Sequence, residues 1–260
     1  MGHIHLGVLP ATRKWREVVD LLDGHATAGE IAGASAVAAE QDLSRAADNP
    51  VFVECVRLLA MIPQAARSAD FGSALRDLGI PAANNPGTLQ IISATGIWLD
   101  QFARQQGNRT DFGELARRAL LSTLMTNIED GLPGLFDATP ADVSHATASL
   151  SSSRAFSPYA RDFFSRLLSD TLSFWLDRKL STRVGHGRRF DNVGERAGFD
   201  TSLQQYCREA TRIIAEFSSG WYGKTINREG RIDRLQATRF GAVAFKKITE
   251  ELRRKRDAAA

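Results

Sequence analysis

The sequence predicts an all-α fold, an irregular multi-helix globular bundle of about nine or ten helices with a short extended N-terminal arm. Three observations lead there. Apolar residues recur at helical spacing in one segment after another. Ser, Thr, Asn or Asp precedes many of these segments in N-cap position. Period-two alternation, the mark of a strand, is clear only in the opening "GHIHLGVLP".

In that stretch Ile4, Leu6 and Val8 fall on one side and His3 and His5 on the other. "TRKWREVVDLL" follows, with Trp15, Val18, Val19 and Leu22 on one helical face and Gly24 as a stop. Thr27 and Glu30 have capping-box spacing before an alanine-rich helix reaching about Ala47. Asn49 then caps a helix with Pro50 in its first position, striped by Val51, Phe52, Cys55, Val56 and Leu59. A short helix in "DFGSALRDLGI" ends at Gly79, and another spans Thr88 to about Gln105. Thr110 or Asp111 starts the next, and Thr139, Pro140 and Asp142 one more.

The most apolar helix is expected from Pro158 to Leu180, with Phe163, Phe164, Leu167, Leu168, Leu172, Trp175 and Leu176 covering a wide face. Residues 181–199 read as an irregular loop, and Asp200 caps a helix to about Phe217. "SSGWYGKTINREGRI" reads as a second irregular loop. The last helix runs from about Arg234 to Arg256, with Phe240, Val243, Ala244, Ile248 and Leu252 on one side.

Across 260 residues the net charge is only +3, but it is unevenly spread. Residues 1–150 hold eleven Lys/Arg against seventeen Asp/Glu, and residues 151–260 hold twenty-two against thirteen. The shift falls beside the serine run at 149–153. It suggests an acidic helical subdomain, 1–150, joined to a basic one, 151–260, or the two ends of one continuous domain. An acidic partner suits the second half.

No apolar run reaches the roughly 18 to 20 residues that cross a bilayer. No secretory signal pattern is visible, so a cytoplasmic location is expected. The preference for Arg over Lys, with abundant Ala, suggests a bacterial genome. Cys55 and Cys207 sit in apolar-periodic segments, as buried free thiols do.

Two basic stretches, residues 178–196 and 221–234, are the candidate anion or nucleic-acid sites. The first gathers Arg178, Lys179, Arg183, His186, Arg188, Arg189 and Arg196; the second Lys224, Arg228, Arg231 and Arg234. Arginine binds phosphate in bidentate geometry and glycine lets backbone amides approach an anion. Phe190, Trp221 and Tyr222 could stack against bases. The competing reading is that these arginines pair with the acidic first half. "GKT" at 223–225 is not a phosphate-binding loop, because Ser218 stands where the pattern needs glycine. In the terminal "EELRRKRD", Glu250 and Glu251 have helical pairing distance to Arg254 and Lys255.

His3 and His5 could share a metal on one strand face. His25, His145 and His186 have no spacing that points back to them, and no cofactor is expected. Ile4, Leu6 and Val8 instead suggest an interaction arm, packed in a helical groove or paired with another chain. No nucleophile elbow or HExxH is present. The functional expectation is a non-enzymatic helical interaction or scaffold subunit of a bacterial multicomponent system, with a protein partner or a second copy of itself. Nucleic-acid or phosphate-ligand binding through the basic loops is the alternative, and a metal-dependent enzyme using His3 and His5 a third reading.

Overall fold

In the computed structural model, which describes residues 12–107, 109–134 and 138–259, the Thr12 hydroxyl accepts the Trp15 amide and opens α1, Arg13–Asp23. The expected arm and His3 and His5 lie outside the described residues. The Thr27–Glu30 capping box starts α2, Ala28–Ala38, with both reciprocal bonds made. The alanine-rich stretch breaks at Ala39, so α3, Glu40–Ala46, is a separate short helix. Asn49 caps α4, Pro50–Ala65, through the amides of Val51 and Phe52. Asp70 caps α5, Phe71–Asp77. A glutamine at the third position, Gln90, reaches back to the Gly87 amide at the start of α6, Thr88–Gln105.

Thr110 caps α7, Asp111–Glu129, and its hydroxyl also accepts from the Asn49 side chain at 2.8 Å, tying two helix starts together. A Thr139–Asp142 capping box opens α8, Pro140–Ser149. The serine run is a cap: Ser152 accepts the Ala155 amide and starts α9, Ser153–Leu180, five residues before Pro158. Asn192 caps α10, Val193–Ala210. After a break at Thr211 come α11, Arg212–Glu229, and α12, Arg234–Ala259. The described residues contain twelve helices, no strand, and one isolated bridge, Val184 to Phe190. None of these helices is long and apolar enough to cross a membrane.

Two departures from the sequence reading have a physical cause. The expected loop "SSGWYGKTINREGRI" is helical as far as Glu229, and the helix expected from Asp200 starts instead at Val193. Tertiary packing overrides the low helix propensity of Gly220 and Gly223. Tyr222 stacks on Phe156 with ring centroids 4.1 Å apart and its hydroxyl meets the Gln64 amide at 2.6 Å. Trp221 stacks on Phe240 at the same 4.1 Å separation. Val243, expected on the apolar face of the last helix, is 44% exposed, while Phe240, Ala244, Ile248 and Leu252 are buried as expected.

α9 is the central helix, flanked by α7, α10 and α11. α4 is the second internal helix, packed on α6, α7, α8 and α12. Helices on either side of residue 150 pack together: α2 meets both α10 and α12. Phe52 sits where α4, α7, α9 and α12 converge, with Phe112, Phe163, Phe164 and Phe245 at centroid distances from 5.1 to 6.4 Å. α12 can come so close only because residue 241 is glycine. A Cβ there would lie 2.5 Å from the Phe52 ring.

One charge lies inside this apolar frame. The Glu54 carboxylate, with no exposure, accepts from the Arg57 guanidinium at 2.7 and 3.0 Å, from the Trp98 indole at 2.9 Å and from Arg234 at 3.1 Å. Burial pushes its pKa up, but Arg57, Trp98 and Arg234 together hold it below its ordinary value. These bonds connect α4, α6 and α12, and Arg57 adds a bond to the Leu78 carbonyl.

Candidate anion-binding surfaces

The loop from Ser181 to Asn192 is short and hydrogen-bonded across its base. Gly185 donates to the Phe190 carbonyl at 2.8 Å and Phe190 to the Arg183 carbonyl at 3.0 Å. Gly185 and Gly187 supply the positive φ the turn requires, 132° and 71°. The stretch 178–196 is therefore only partly a loop: Arg178 and Lys179 belong to α9 and Arg196 to α10.

Most of its arginines have partners within the chain. Arg189 turns inward and donates to the carbonyls of Leu21, Leu22, Gly24 and Ala26, covering the C-terminal end of α1. Four orphan carbonyls around a helix end and one guanidinium make a C-cap assembled from distant sequence. Arg183 pairs with Asp23, the last residue of that helix. Arg196 bonds to Asp177 and Asp200. Arg188 donates to the Thr182 carbonyl, and Arg178 lies 4.7 Å from the Phe174 ring centroid. His186 is exposed at the tip.

The proposed stacking residues are also engaged. Phe190 is buried against Phe199 and Tyr222 against Phe156, and the half-buried Trp221 stacks on Phe240. The Arg189 and Arg196 guanidiniums lie 5.4 and 5.9 Å from the Phe190 ring centroid, so Phe190 flanks basic residues from within the fold, while Trp221 keeps part of its surface exposed.

The second stretch, 221–234, is the end of α11 and the turn into α12 rather than a loop. Lys224 is exposed on α11, Arg231 is exposed in the turn, and Arg228 bonds to its neighbour Glu229 at 2.7 Å. Arg234 belongs to the Glu54 network and lies 4.6 Å from the Phe102 ring centroid. The two helices form an antiparallel hairpin, and from Arg212 to Ala259 it carries twelve Lys/Arg against six Asp/Glu. On α12, Leu235, Arg239, Ala242 and Lys246 recur at spacings of four, three and four and are all exposed. Lys224, Arg231, Arg239 and Lys246 form no ion pair among the described residues. Sequence reasoning passed over Arg239 and Lys246, although their seven-residue separation on the polar side of a helix was legible.

The terminal pairs differ from expectation. Glu251 meets Arg254 three residues on, at 3.4 Å, and Lys255 reaches across to Glu209 of α10 at 3.0 Å.

A cleft of about 710 Å³ lies between α9 and α10. Arg161, Ser165 and Ser169, four residues apart on α9, face Thr201, Gln204 and Arg208 of α10 across it. This polar stripe is the complement of the apolar face of α9, and its four-residue repeat was also legible. Among the described residues no group of three or more His, Cys, Asp or Glu side chains is placed to hold a metal ion. Cys55 and Cys207 are buried free thiols, and burial pushes both pKa values up.

Comparison with protein-family models, with characterised proteins and with solved structures finds no match to this chain.

Proposed function

We propose that this chain is a non-enzymatic helical interaction subunit that engages an acidic protein partner through the outer side of the α11–α12 hairpin. The observation carrying this reading is the mixed character of the exposed α12 stripe. Leu235 is 58% exposed and Val243 44%, on the same helix as the exposed cations Arg239 and Lys246. Protein interfaces combine apolar anchors with arginine, whereas a surface that only tracks phosphates needs no apolar residues. The Arg- and Ala-rich composition supports a bacterial source, where such subunits serve in multicomponent systems.

The test is capture from an extract of the native host by the full chain, with amine cross-linking and nuclease treatment. Two variants accompany it: K224E/R231E/R239E/K246E and L235S/V243S. The expected result is one protein, nuclease-resistant, cross-linked to the hairpin lysines and reduced at least tenfold in both variants, with their thermal unfolding unchanged. Capture indifferent to both variants overturns the reading. Sensitivity to the charge variant alone, lost on nuclease treatment, overturns it in favour of nucleic-acid binding.

A further inference from the structure

Two helices packed side by side leave a groove along their line of contact, and that between α11 and α12 has an aromatic floor. Phe240 of α12 stacks on Trp221 at 4.1 Å and lies 5.4 Å from Phe217, ring centroid to ring centroid. Phe240 is buried, whereas Phe217 and Trp221 each keep part of their surface exposed. On α11, Ile213, Phe217, Gly220 and Lys224 recur at spacings of four, three and four and share one stripe. On α12, Gln236, Arg239, Val243 and Lys247 recur at three, four and four. The Lys247 Nζ lies 5.6 Å from the Phe217 ring centroid and joins the two stripes across the groove.

Gly220 matters here for the side chain it lacks. A Cβ there would meet nothing within 4 Å, so the α11 backbone is open to close approach from outside. The charge beside it is of one sign. From Phe217 to Lys224 and from Gln236 to Lys247 the chain has four cations, Lys224, Arg239, Lys246 and Lys247, and no carboxylate. None of the four forms an ion pair among the described residues. The hairpin's carboxylates stand at its two ends. At the turn, Glu229 is held by Arg228 and Gln236, and Asp233 accepts the Gln236 amide. At the opposite end Glu216 and Glu251 share a pocket of about 360 Å³ with Arg212, Arg254 and Lys255, and Glu250 is exposed.

We infer, resting on the hairpin reading above, that the acidic partner presents one amphipathic α-helix, which lies along this groove. Its apolar side chains pack on Phe217, Trp221 and Val243, and its carboxylates meet Lys224 on the α11 edge and Arg239 and Lys246 on the α12 edge. Charge complementarity selects an acidic occupant, because opposite potentials steer two surfaces together and fix their register. A helix is favoured over an extended segment because it satisfies its own backbone, and this helical face offers no strand edge. The stripe from Phe217 to Lys224 spans about 10 Å, the separation of helical anchors at i and i+7.

Fluorescence anisotropy of labelled synthetic peptides titrated with the full chain tests this. The probe is a helix of about five turns with leucines at i, i+3, i+4 and i+7 and glutamates on both flanks. Its companions are the same residues in scrambled order and a version with lysine in place of glutamate. Saturable binding of the probe is expected, at least tenfold tighter than the scrambled peptide, with none for the lysine version. Gly220→Leu, at a position where a Cβ meets no other atom, is expected to weaken the probe at least tenfold without lowering thermal stability. Equal binding of the scrambled peptide reduces the face to charge attraction and overturns the helical occupant. Probe binding that Gly220→Leu leaves unchanged, or no binding of the probe, overturns the groove. The same variant enters the capture experiment. Capture reduced by K224E/R231E/R239E/K246E and L235S/V243S but not by Gly220→Leu upholds the hairpin interface and overturns the groove alone, whereas capture indifferent to all three overturns both.

Discussion

Glu54 on α4 and Arg234 at the start of α12, 180 positions apart, share a 3.1 Å hydrogen bond from the Arg234 Nε to a carboxylate oxygen. The Glu54 side chain has no exposure, whereas Arg234 is 55% exposed. The two ends of this bond therefore carry unequal energetic weight. Removing Arg234 leaves Glu54 with Arg57 and Trp98; removing Glu54 strands the Arg57 charge, at 15% exposure, and the Trp98 N–H together.

Glu54→Ala is accordingly expected to destabilise the fold by about 3 kcal/mol, the low end for breaking a buried pair. Arg234→Ala should cost at most about 1 kcal/mol, as for a solvent-screened pair. Urea denaturation of both variants checks the order, and equal losses would contradict it. The pH dependence follows from the lowered pKa of Glu54. Its stabilisation is present above the unfolded value near 4.5 and is lost as pH falls through the lower folded value. In Glu54→Gln, stability measured from pH 6 to pH 3 should fall less steeply than in the parent.

Arg188 and Arg189 are neighbours in the basic stretch with opposite roles. Arg189→Ala uncovers the carbonyls at the end of α1 and should cost about 2 to 3 kcal/mol, as for hydrogen bonds to a charged donor. Arg188→Ala removes one exposed bond, to Thr182, and should stay within about 0.5 kcal/mol of the parent. Denaturation curves for the two single variants decide it, and a more damaging Arg188→Ala would refute the capping role.

Two helical glycines should respond in opposite directions to alanine. At Gly220 a Cβ meets nothing within 4 Å, so Gly220→Ala should stabilise α11 by up to about 1 kcal/mol through helix propensity. At Gly241 the same change drives a Cβ to 2.5 Å from Phe52 and should destabilise by about 1 to 3 kcal/mol through overpacking. Thermal unfolding of the pair is the measurement; shifts of the same sign would show that one of these environments is misplaced.

Helix starts were legible because an N-cap is a local device. The Thr27–Glu30 and Thr139–Asp142 boxes and the Asn49 cap each bond within three residues, so their spacing carries the information. The polar stripe Arg161–Ser165–Ser169 is equally local, yet its meaning depends on Arg208 standing opposite, which no spacing within α9 could reveal.

The sequence by itself determined the all-α class, most helix starts, the buried stripes of α1 and α4, and the charge excess of the second half. Side-chain period and capping depend on neighbours a few residues away, and those neighbours are written in order. Only the tertiary structure decided that "SSGWYGKTINRE" is helix, because Tyr222 and Trp221 are held by Phe156, Gln64 and Phe240 from other helices. It alone decided which cations are committed. Arg189 and Arg183 meet α1, Arg234 meets Glu54, and Lys224, Arg231, Arg239 and Lys246 remain in water. Charge is a property of composition, but its availability depends on which carboxylates and carbonyls folding brings within hydrogen-bond reach.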